Sequence, residues 1–373
     1  MAQAHRRPTK SEDGHPVIGF ALGGLAGNNA HGAGFLQAAL DEGVTPDLIS
    51  CTSGQILWVY RYLLARSQHS PTLEERLRTD IRETRPFRQL GADMMMMMAT
   101  QGKPGVFRLA GYEIAMDVAK NMLATAADMM ANWREHGSFE EYLNWLPART
   151  LVPLFPDKFF SSISDAFNAA DLPILFNSYD PHQGIEFVHL NEAAKKTLGI
   201  APGTRKSYRD RTIYRDVSPN YIRDGLWIYQ YGFEGRFNAI DGAYYRQILL
   251  SELSGADIIF VARPINYKWQ GELPKSYAAL EDMKTEIAFN GSYEGERDKI
   301  VLINKLMKEG VLKDRDGKAF HHIELVEVEM TGQRSFFDYI FESGEVFDHA
   351  RATTLNKFEN AFRGADYLEA PEA

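Results

Sequence analysis

Cysteine is nearly absent from this sequence, because Cys51 is the only one among 373 residues. A single cysteine can form neither an intramolecular disulfide nor a thiolate cluster that holds zinc. Long apolar runs are absent too, since no stretch reaches the roughly 18 residues that indicate a transmembrane helix. No apolar secretory segment follows a basic start, so the expected location is the cytoplasm.

Positive charge is also in deficit, because 41 Lys and Arg residues face 50 Asp and Glu residues and leave a net charge of -9. A nucleic-acid partner is therefore not expected, since phosphate binding requires a basic surface. The same charge weakens, without excluding, docking to anionic membranes, so transient membrane contact stays open. The hydrophobic fraction of 45% is ordinary for a globular protein with an apolar core. Composition leaves the oligomeric state undetermined.

The order of the predicted elements indicates an α/β fold. Residues 17–22 are apolar and end at Gly23-Gly24, which is typical of a buried strand that enters a glycine loop. A helical pattern at 33–42, a second strand at 47–51 and a second helix at 56–64 follow. Such alternation predicts a parallel sheet with helices on its faces. Further elements are predicted as a strand hairpin at 172–177 and 184–190, strands at 256–262 and 322–328, and a last helix at 347–362.

We therefore expect one three-layer α/β/α domain over residues 16–365, with a mostly parallel central sheet and tails at 1–15 and 366–373. Residues from about 70 to 160 have the pattern of a helical insertion, which contains a run of methionines at 94–98. Methionine adapts to irregular apolar ligands, so this run suits an acyl-chain channel or a lid, although core packing is its commoner role.

Three short segments carry the candidate chemistry, and the first is the loop Gly23-Gly24-Leu25-Ala26-Gly27 between a strand and a helix. Backbone N–H groups in such a loop converge on a negatively charged oxygen. The loop lacks both the G-x-G-x-x-G pattern and the Gly-Lys-Ser/Thr end of a P-loop. It therefore fits an oxyanion hole better than a phosphate cradle, and on its own it also fits a plain tight turn.

The second segment is Cys51-Thr52-Ser53-Gly54-Gln55, where a predicted strand turns abruptly into a helix. Such an elbow lifts a serine hydroxyl out of the sheet and makes it a nucleophile. The alternative role for Ser53 is capping of the helix, which is abundant among serines.

The third segment, Asp241-Gly242-Ala243, precedes another predicted strand. An Asp-Gly pair usually forms a turn. In a catalytic site, the same carboxylate would accept the proton of a serine hydroxyl.

Taken in order, these segments resemble the patatin-like phospholipase family over residues 16–362. Members of that family have a glycine-rich oxyanion loop, a Pro-Asp strand, a Gly-Thr-Ser-x-Gly elbow and a distant Asp-Gly-Gly or Asp-Gly-Ala. The corresponding residues here are Gly23-Gly24, the helical run at 34–40, Pro46-Asp47, Thr52-Ser53 and Asp241-Gly242-Ala243.

The resemblance implies a three-layer patatin-like fold and a catalytic dyad that requires no histidine. Ser53 would be the nucleophile and Asp241 the general base, with Thr52 and Gly54 flanking the serine in the elbow. The chain departs from the family at Gln55, where the elbow usually has its second glycine.

The resemblance also assigns backbone N–H groups of the first loop to an oxyanion hole, namely those of Gly23, Gly24 and Gly27. Leu25 stands where a third glycine is common in the family. Asn28 and His31 follow in the same region and are candidate auxiliary groups, although a histidine beside a glycine loop more often has a structural role.

The implied activity is hydrolysis of a lipid-like or other acyl ester through an acyl-enzyme, with neither a metal nor an organic cofactor. His321 and His322 do not suggest a metal site, because adjacent residues on a strand point to opposite faces. Two alternatives stay open. One is an acyltransferase that passes the same acyl group to an acceptor, and the other is a catalytically silent member that binds a lipid or a partner protein.

Overall fold

The computed structural model describes the residues that form the sheet, its flanking helices and many of the connections between them. The described ranges are 16–25, 29–67, 72–88, 106–109, 111–131, 151–156, 158–206, 209–233, 239–269, 272–275, 277–312, 321–330 and 344–362. The predicted tails and the methionine run at 94–98 lie outside these ranges.

Helices and strands alternate through much of the described chain. The helices are α1 (Asn29–Asp41), α2 (Gln55–Arg66), α3 (Leu73–Arg88), α4 (Gly111–Ala131), α5 (Phe159–Ala169), α6 (Glu192–Leu198), α7 (Pro219–Gly225), α8 (Tyr277–Lys308) and α9 (Gly344–Phe362). The strands are β1 (Ile18–Leu22), β2 (Leu48–Cys51), β3 (Val106–Leu109), β4 (Leu151–Leu154), β5 (Ile174–Asp180), β6 (Ile185–Leu190), β7 (Arg205–Lys206), β8 (Arg209–Asp216), β9 (Ile240–Asp241), β10 (Ile258–Arg263) and β11 (Glu324–Glu329).

One central sheet has the strand order β11-β10-β1-β2-β5-β6-β8-β7, with β9 paired to β5. The strands from β11 through β5 run parallel to one another. The hairpin from β5 to β6 introduces the antiparallel pairing, and β8 then runs parallel to β6. The sheet is therefore mixed but mostly parallel, as the sequence predicts.

The central strands alternate their side chains between two apolar cores, because successive residues of a strand point to opposite faces. Phe20 and Phe260 lie in the core formed with α1, α2 and α9. Ala21 and Val261 lie in the opposite core, which includes residues of α6 and α8. The α/β/α layering expected from the sequence is thereby confirmed.

Helix α9 closes the first core by packing its aromatic rings against the sheet. The ring centroids of Phe358 in α9 and Phe260 in β10 are 4.7 Å apart. On the same face of the sheet, the ring centroids of Phe20 in β1 and Phe35 in α1 are 4.8 Å apart. The predicted packing of the last helix onto the sheet is confirmed.

The structure also contains elements that the sequence patterns do not predict. Strands β3 and β4 form a separate two-stranded antiparallel sheet inside the region expected to be helical. Strand β8 extends the central sheet beyond the hairpin, and α8 spans 32 residues. Within the described ranges, no helix has both the length and the apolar character to cross a membrane.

Candidate active site

Ser53 occupies a strained turn at the carboxyl end of β2. The strand ends at Cys51 and α2 begins at Gln55, so the chain reverses within three residues. Ser53 has a φ of 55°, and it is the one non-glycine residue of the described chain with positive φ. Such a conformation is costly for a residue with a Cβ and is concentrated at functional sites. The predicted elbow geometry is therefore present, although the outer glycines of the usual pattern are missing.

The Ser53 hydroxyl does not cap helix α2. Gly54 is the N-cap residue of that helix, and no side chain there makes a capping hydrogen bond. The hydroxyl instead lies beside the carboxylate of Asp241, close enough to lower the pKa of that carboxyl. The two residues that the sequence analysis names as nucleophile and base are thus side-chain neighbours, although they are far apart in the chain.

Strand β5 brings these two residues together. It pairs with β2 up to Cys51 and Phe176, where β2 ends in the elbow. Two residues further along β5, Ser178 pairs with Asp241 of β9. The other edge of β5 is paired with β6. Strand β9 therefore lies on the same edge of β5 as β2, immediately beyond the point where β2 ends. Asp241 therefore lies at the same carboxyl edge of the sheet as Ser53.

Burial controls the electrostatics of Asp241. Removal from water raises the pKa of its carboxyl from 3.8 to about 7, while the Ser53 side chain and the backbone N–H of Ala243 act in the opposite direction. The N–H of Ala243 lies 2.9 Å from Oδ1 of Asp241. The carboxyl thus has a turn-forming contact as well as its contact with Ser53, and at neutral pH it is poised between its two protonation states.

Aromatic side chains supply much of the apolar surroundings of this carboxyl. Trp227, Tyr231 and Ile240 are buried together, with Tyr244 packed against them. Burial, and secondarily the charge of Asp241, raises the pKa of Tyr231 and of Tyr244. These effects show that the aromatic cluster shares the electrostatic environment of the carboxyl.

The predicted oxyanion donors Gly23 and Gly24 have their N–H groups engaged elsewhere. The N–H of Gly23 extends the sheet ladder to the carbonyl oxygen of Ala262 at 3.0 Å. The N–H of Gly24 donates to Oγ1 of Thr52 at 2.9 Å. Neither group is free to bind an oxyanion, so these two assignments are corrected. The third predicted donor, Gly27, and the auxiliary candidate Asn28 lie outside the described residues.

Gly24 and Thr52 serve instead to assemble the site. A Cβ on Gly24 would lie 2.3 Å from Cβ of Ser53, so the loop approaches the elbow as closely as only glycine allows. Thr52 Oγ1, which accepts from Gly24, donates in turn to the carbonyl oxygen of Gln247 at 2.6 Å. Thr52 therefore ties the glycine loop, the elbow and the segment after Asp241 together.

The groups that act on His31 belong to α9 and β11, and none of them is Ser53 or Asp241, which corrects its assignment as an auxiliary group. His31 lies inside α1 and is fully buried. Burial lowers its pKa to about 3, and the groups that act on it electrostatically are His349 of α9 and the backbone of Glu329 in β11. The histidine belongs to the packing between α1, α9 and the sheet.

Asn177 and Glu186, which the sequence analysis does not single out, hold the loop that carries Asp241. Nδ2 of Asn177 donates to the carbonyl oxygens of Gly242 and Arg246, both at 3.2 Å, and to Oε1 of Glu186 at 3.0 Å. A Cβ on Gly242 would lie 2.2 Å from Cγ of Asn177, which explains glycine after the aspartate. Polar residues inside otherwise apolar strand patterns are the signal that could have identified both.

Gln55 fills space that a glycine on the neighbouring helix leaves open. Its Oε1 lies 2.1 Å from the position that a Cβ on Gly32 would occupy. The departure from the usual elbow pattern at Gln55 is thus matched by a glycine in α1. Helices α1 and α2 can therefore still approach closely, because the glycine lies in α1 and the large side chain lies in α2.

Within the described ranges, no group of three or more His, Cys, Asp and Glu side chains is arranged to hold a metal ion. In comparisons with known proteins, no family model matches the chain, and no curated protein matches it significantly.

Proposed function

We propose that this protein is a serine acyl hydrolase of the patatin type, with Ser53 as nucleophile and Asp241 as general base. The observation that carries the proposal is the strained elbow that holds Ser53 against a buried carboxylate. Strain at a serine and a raised carboxyl pKa are each found at catalytic sites. Their coincidence, in the chain order that the family uses, favours catalysis over two unrelated structural features.

The proposed reaction proceeds through an acyl-enzyme. Oγ of Ser53 attacks the ester carbonyl carbon while the ionised Asp241 carboxylate takes the hydroxyl proton. The tetrahedral intermediate then expels the alcohol, which receives that proton from Asp241. In the second half, Asp241 deprotonates a water that attacks the acyl carbon, and Ser53 leaves with its proton restored. A carboxyl with a pKa of about 7 is a stronger base than an ordinary aspartate and suits this step.

Apolar surface on α4 supports a lipid-like acyl group as substrate. Met116, Leu123 and Met130 are all exposed and recur at seven-residue spacing, so they share one face of the helix. Exposed apolar patches of this kind mark interaction sites for apolar ligands or surfaces. The proposed substrates are therefore esters of medium or long acyl chains, with transient membrane contact as a route to them.

Hydrolysis of a series of p-nitrophenyl esters tests the proposal. We expect catalytic efficiency to rise from acetyl to octanoyl, because each buried methylene contributes up to about 0.8 kcal/mol. Ser53→Ala and Asp241→Asn should each remove nearly all turnover with the fold intact by circular dichroism.

Asp257→Asn is the matched control, since that carboxylate also accepts a backbone N–H, from Val17, but at the opposite end of the sheet. It should retain wild-type turnover. Full activity of Ser53→Ala would refute the proposed nucleophile, and a flat chain-length profile would refute the lipid-like substrate. Formation of a new ester when an alcohol is added would move the assignment to acyl transfer.

A further inference from the structure

The proposed reaction needs hydrogen-bond donors for the oxyanion, and the described part of the glycine loop supplies none. Besides Gly23 and Gly24, the N–H of Leu25 is also occupied, because it donates to Oδ1 of Asn29 at 3.1 Å. Among the hydrogen bonds of the described residues, none engages the N–H of Gly54, the residue that follows the nucleophile. That N–H is the usual first donor of an elbow-type oxyanion hole. A second donor must come from another group.

The side-chain amide of Asn29 lies directly over Gly54. Asn29 is the first residue of α1 and is only 7% exposed. Its Nδ2 atom is 1.9 Å from the position that a Cβ on Gly54 would occupy, so the amide fits only because residue 54 is glycine. The amide nitrogen is therefore at the elbow, one residue from Ser53.

Hydrogen bonds fix which end of the amide faces the elbow. Nε2 of Gln55 donates to the backbone carbonyl oxygen of Asn29 at 3.2 Å, and this contact determines the orientation of the glutamine. The same Nε2 donates to Oδ1 of Asn29 at 3.3 Å, and the N–H of Leu25 donates to that oxygen too. Because Oδ1 of Asn29 accepts both of these hydrogen bonds, the other end of the amide, Nδ2, is the atom that lies against Gly54.

Within the described residues, no hydrogen bond uses Nδ2 of Asn29 as its donor, so this amide N–H2 group is available to an acceptor at the elbow. The acceptor that the reaction would create beside Ser53 is the negatively charged oxygen of the tetrahedral intermediate. Side-chain amides serve this role in other acyl-transfer sites.

We propose that Nδ2 of Asn29 and the N–H of Gly54 form the oxyanion hole of this site, and that Gln55 is the positioning residue that holds Asn29. The inference rests on the proposed acyl transfer and replaces the oxyanion donors predicted from the glycine loop. It also gives a role to Gln55: the side chain that breaks the family's elbow pattern holds the donor that replaces the missing glycine N–H groups.

Asn29→Asp tests the donor, because it keeps the oxygen that accepts from Leu25 and Gln55 and replaces only the N–H2 group. We expect kcat on p-nitrophenyl octanoate to fall about 10²–10³-fold, as when one oxyanion donor is lost, with KM little changed. Affinity for an octyl trifluoromethyl ketone, which forms a tetrahedral oxyanion on the serine, should fall in parallel. Asn29→Ala, which adds no buried charge, should show the same loss and covers the case in which the aspartate variant does not fold.

Asn304→Asp is the matched control, since Oδ1 of Asn304 likewise accepts a backbone N–H, from Ile323, but in α8. It should leave kcat and inhibitor affinity unchanged. Gln55→Gly restores the family's elbow sequence, yet here it should lower kcat, again without a comparable change in KM, because Asn29 loses its clamp.

Two outcomes would overturn the inference, and they are distinguishable. If the wild type is active and labelled at Ser53 while both Asn29 variants keep kcat within threefold, the oxyanion assignment is wrong and the dyad stands. If the wild type neither turns over esters nor forms the ketone adduct, the proposed function fails and the oxyanion hole fails with it.

Discussion

Ser53 and Asp241 meet in a site where most of the surrounding residues are fixed by close packing. Gly24 lies against Ser53, Gly54 against Asn29 and Gly242 against Asn177, each at a distance that excludes a Cβ. The glycines around the dyad therefore act mainly by allowing approach. In the glycine loop, the N–H groups of Gly23 and Gly24 are engaged in other hydrogen bonds, so a role as oxyanion donors does not follow from the composition of the loop.

The raised pKa of Asp241 predicts a pH dependence of catalysis. The carboxyl must be ionised to accept the serine proton, so kcat/KM should rise with pH through one ionisation at about 7 and then level off. A pH-rate profile on a short-chain ester measures this. A profile that levels off near the ordinary aspartate pKa of 3.8 would contradict a buried carboxyl as the base.

The same ionisation predicts how stability changes with pH. Between pH 3.8 and about 7 the folded protein holds a proton on Asp241 that the unfolded chain has released. The stabilisation that this bound proton gives the folded state is complete below pH 3.8 and is lost as the pH rises through about 7. Within this window the free energy of unfolding falls by up to ~1.4 kcal/mol per pH unit. Urea unfolding across this window should show that slope in the wild type and a flatter one in Asp241→Asn.

The roles proposed for Ser53 and Asp241 follow from the sequence, whereas those proposed for Asn29 and Gln55 do not. A serine between an apolar strand pattern and a helical pattern can be identified locally. The contact between Gln55 and Gly32 depends on two helices approaching each other, and nothing local in either helix predicts it.

Among the elements, β5 organises the site, since β2 and β9 meet along one of its edges. The apolar patterns of β1, β2, β5, β6 and β10 predict these strands within a few residues, because these strands are largely buried. The half-buried β11 is predicted by its alternation of apolar and charged residues. Strand β9 has two residues and no pattern of its own, so its pairing to β5 depends on tertiary contacts alone. The long helix α8 is weakly amphipathic and has exposed apolar residues such as Ile287, which obscures its period in the sequence.

Packing between α1 and α9 gives a prediction at this scale. A Cβ on Gly34 would lie 2.2 Å from the carbonyl oxygen of Phe347, so Gly34→Ala must push the two helices apart. We expect a loss of about 1–3 kcal/mol in the free energy of unfolding, as for other overpacked sites. Gly291→Ala in α8 is the control, because a Cβ there meets nothing within 4 Å. It should stabilise the fold by about 0.5–1 kcal/mol, and equal effects of the two changes would contradict the close approach.

At the scale of the whole molecule, the site lies where the sheet changes from parallel to antiparallel pairing. A network of buried ion pairs lies next to it. Arg246 is 2% exposed and pairs with Glu186 at 2.7 Å, with Glu252 at 2.9 Å and with Glu296 of α8 at 3.2 Å. Through Asn177, Glu186 connects this network to the loop of Asp241. The buried charges thus join α8, β6 and the loop of Asp241 into one unit, which local sequence patterns do not predict because its partners are dispersed along the chain.

Labelling with a fluorophosphonate probe, followed by peptide mass spectrometry, tests most directly whether Ser53 and Asp241 form a catalytic site. The probe phosphonylates a serine only when that serine is activated by a base, so it reports the dyad without requiring the substrate. We predict a single adduct on Ser53 in the folded wild type and little or none in Asp241→Asn over the same time. An adduct on a different serine, or labelling of Asp241→Asn at the wild-type rate, would contradict the Ser53–Asp241 dyad.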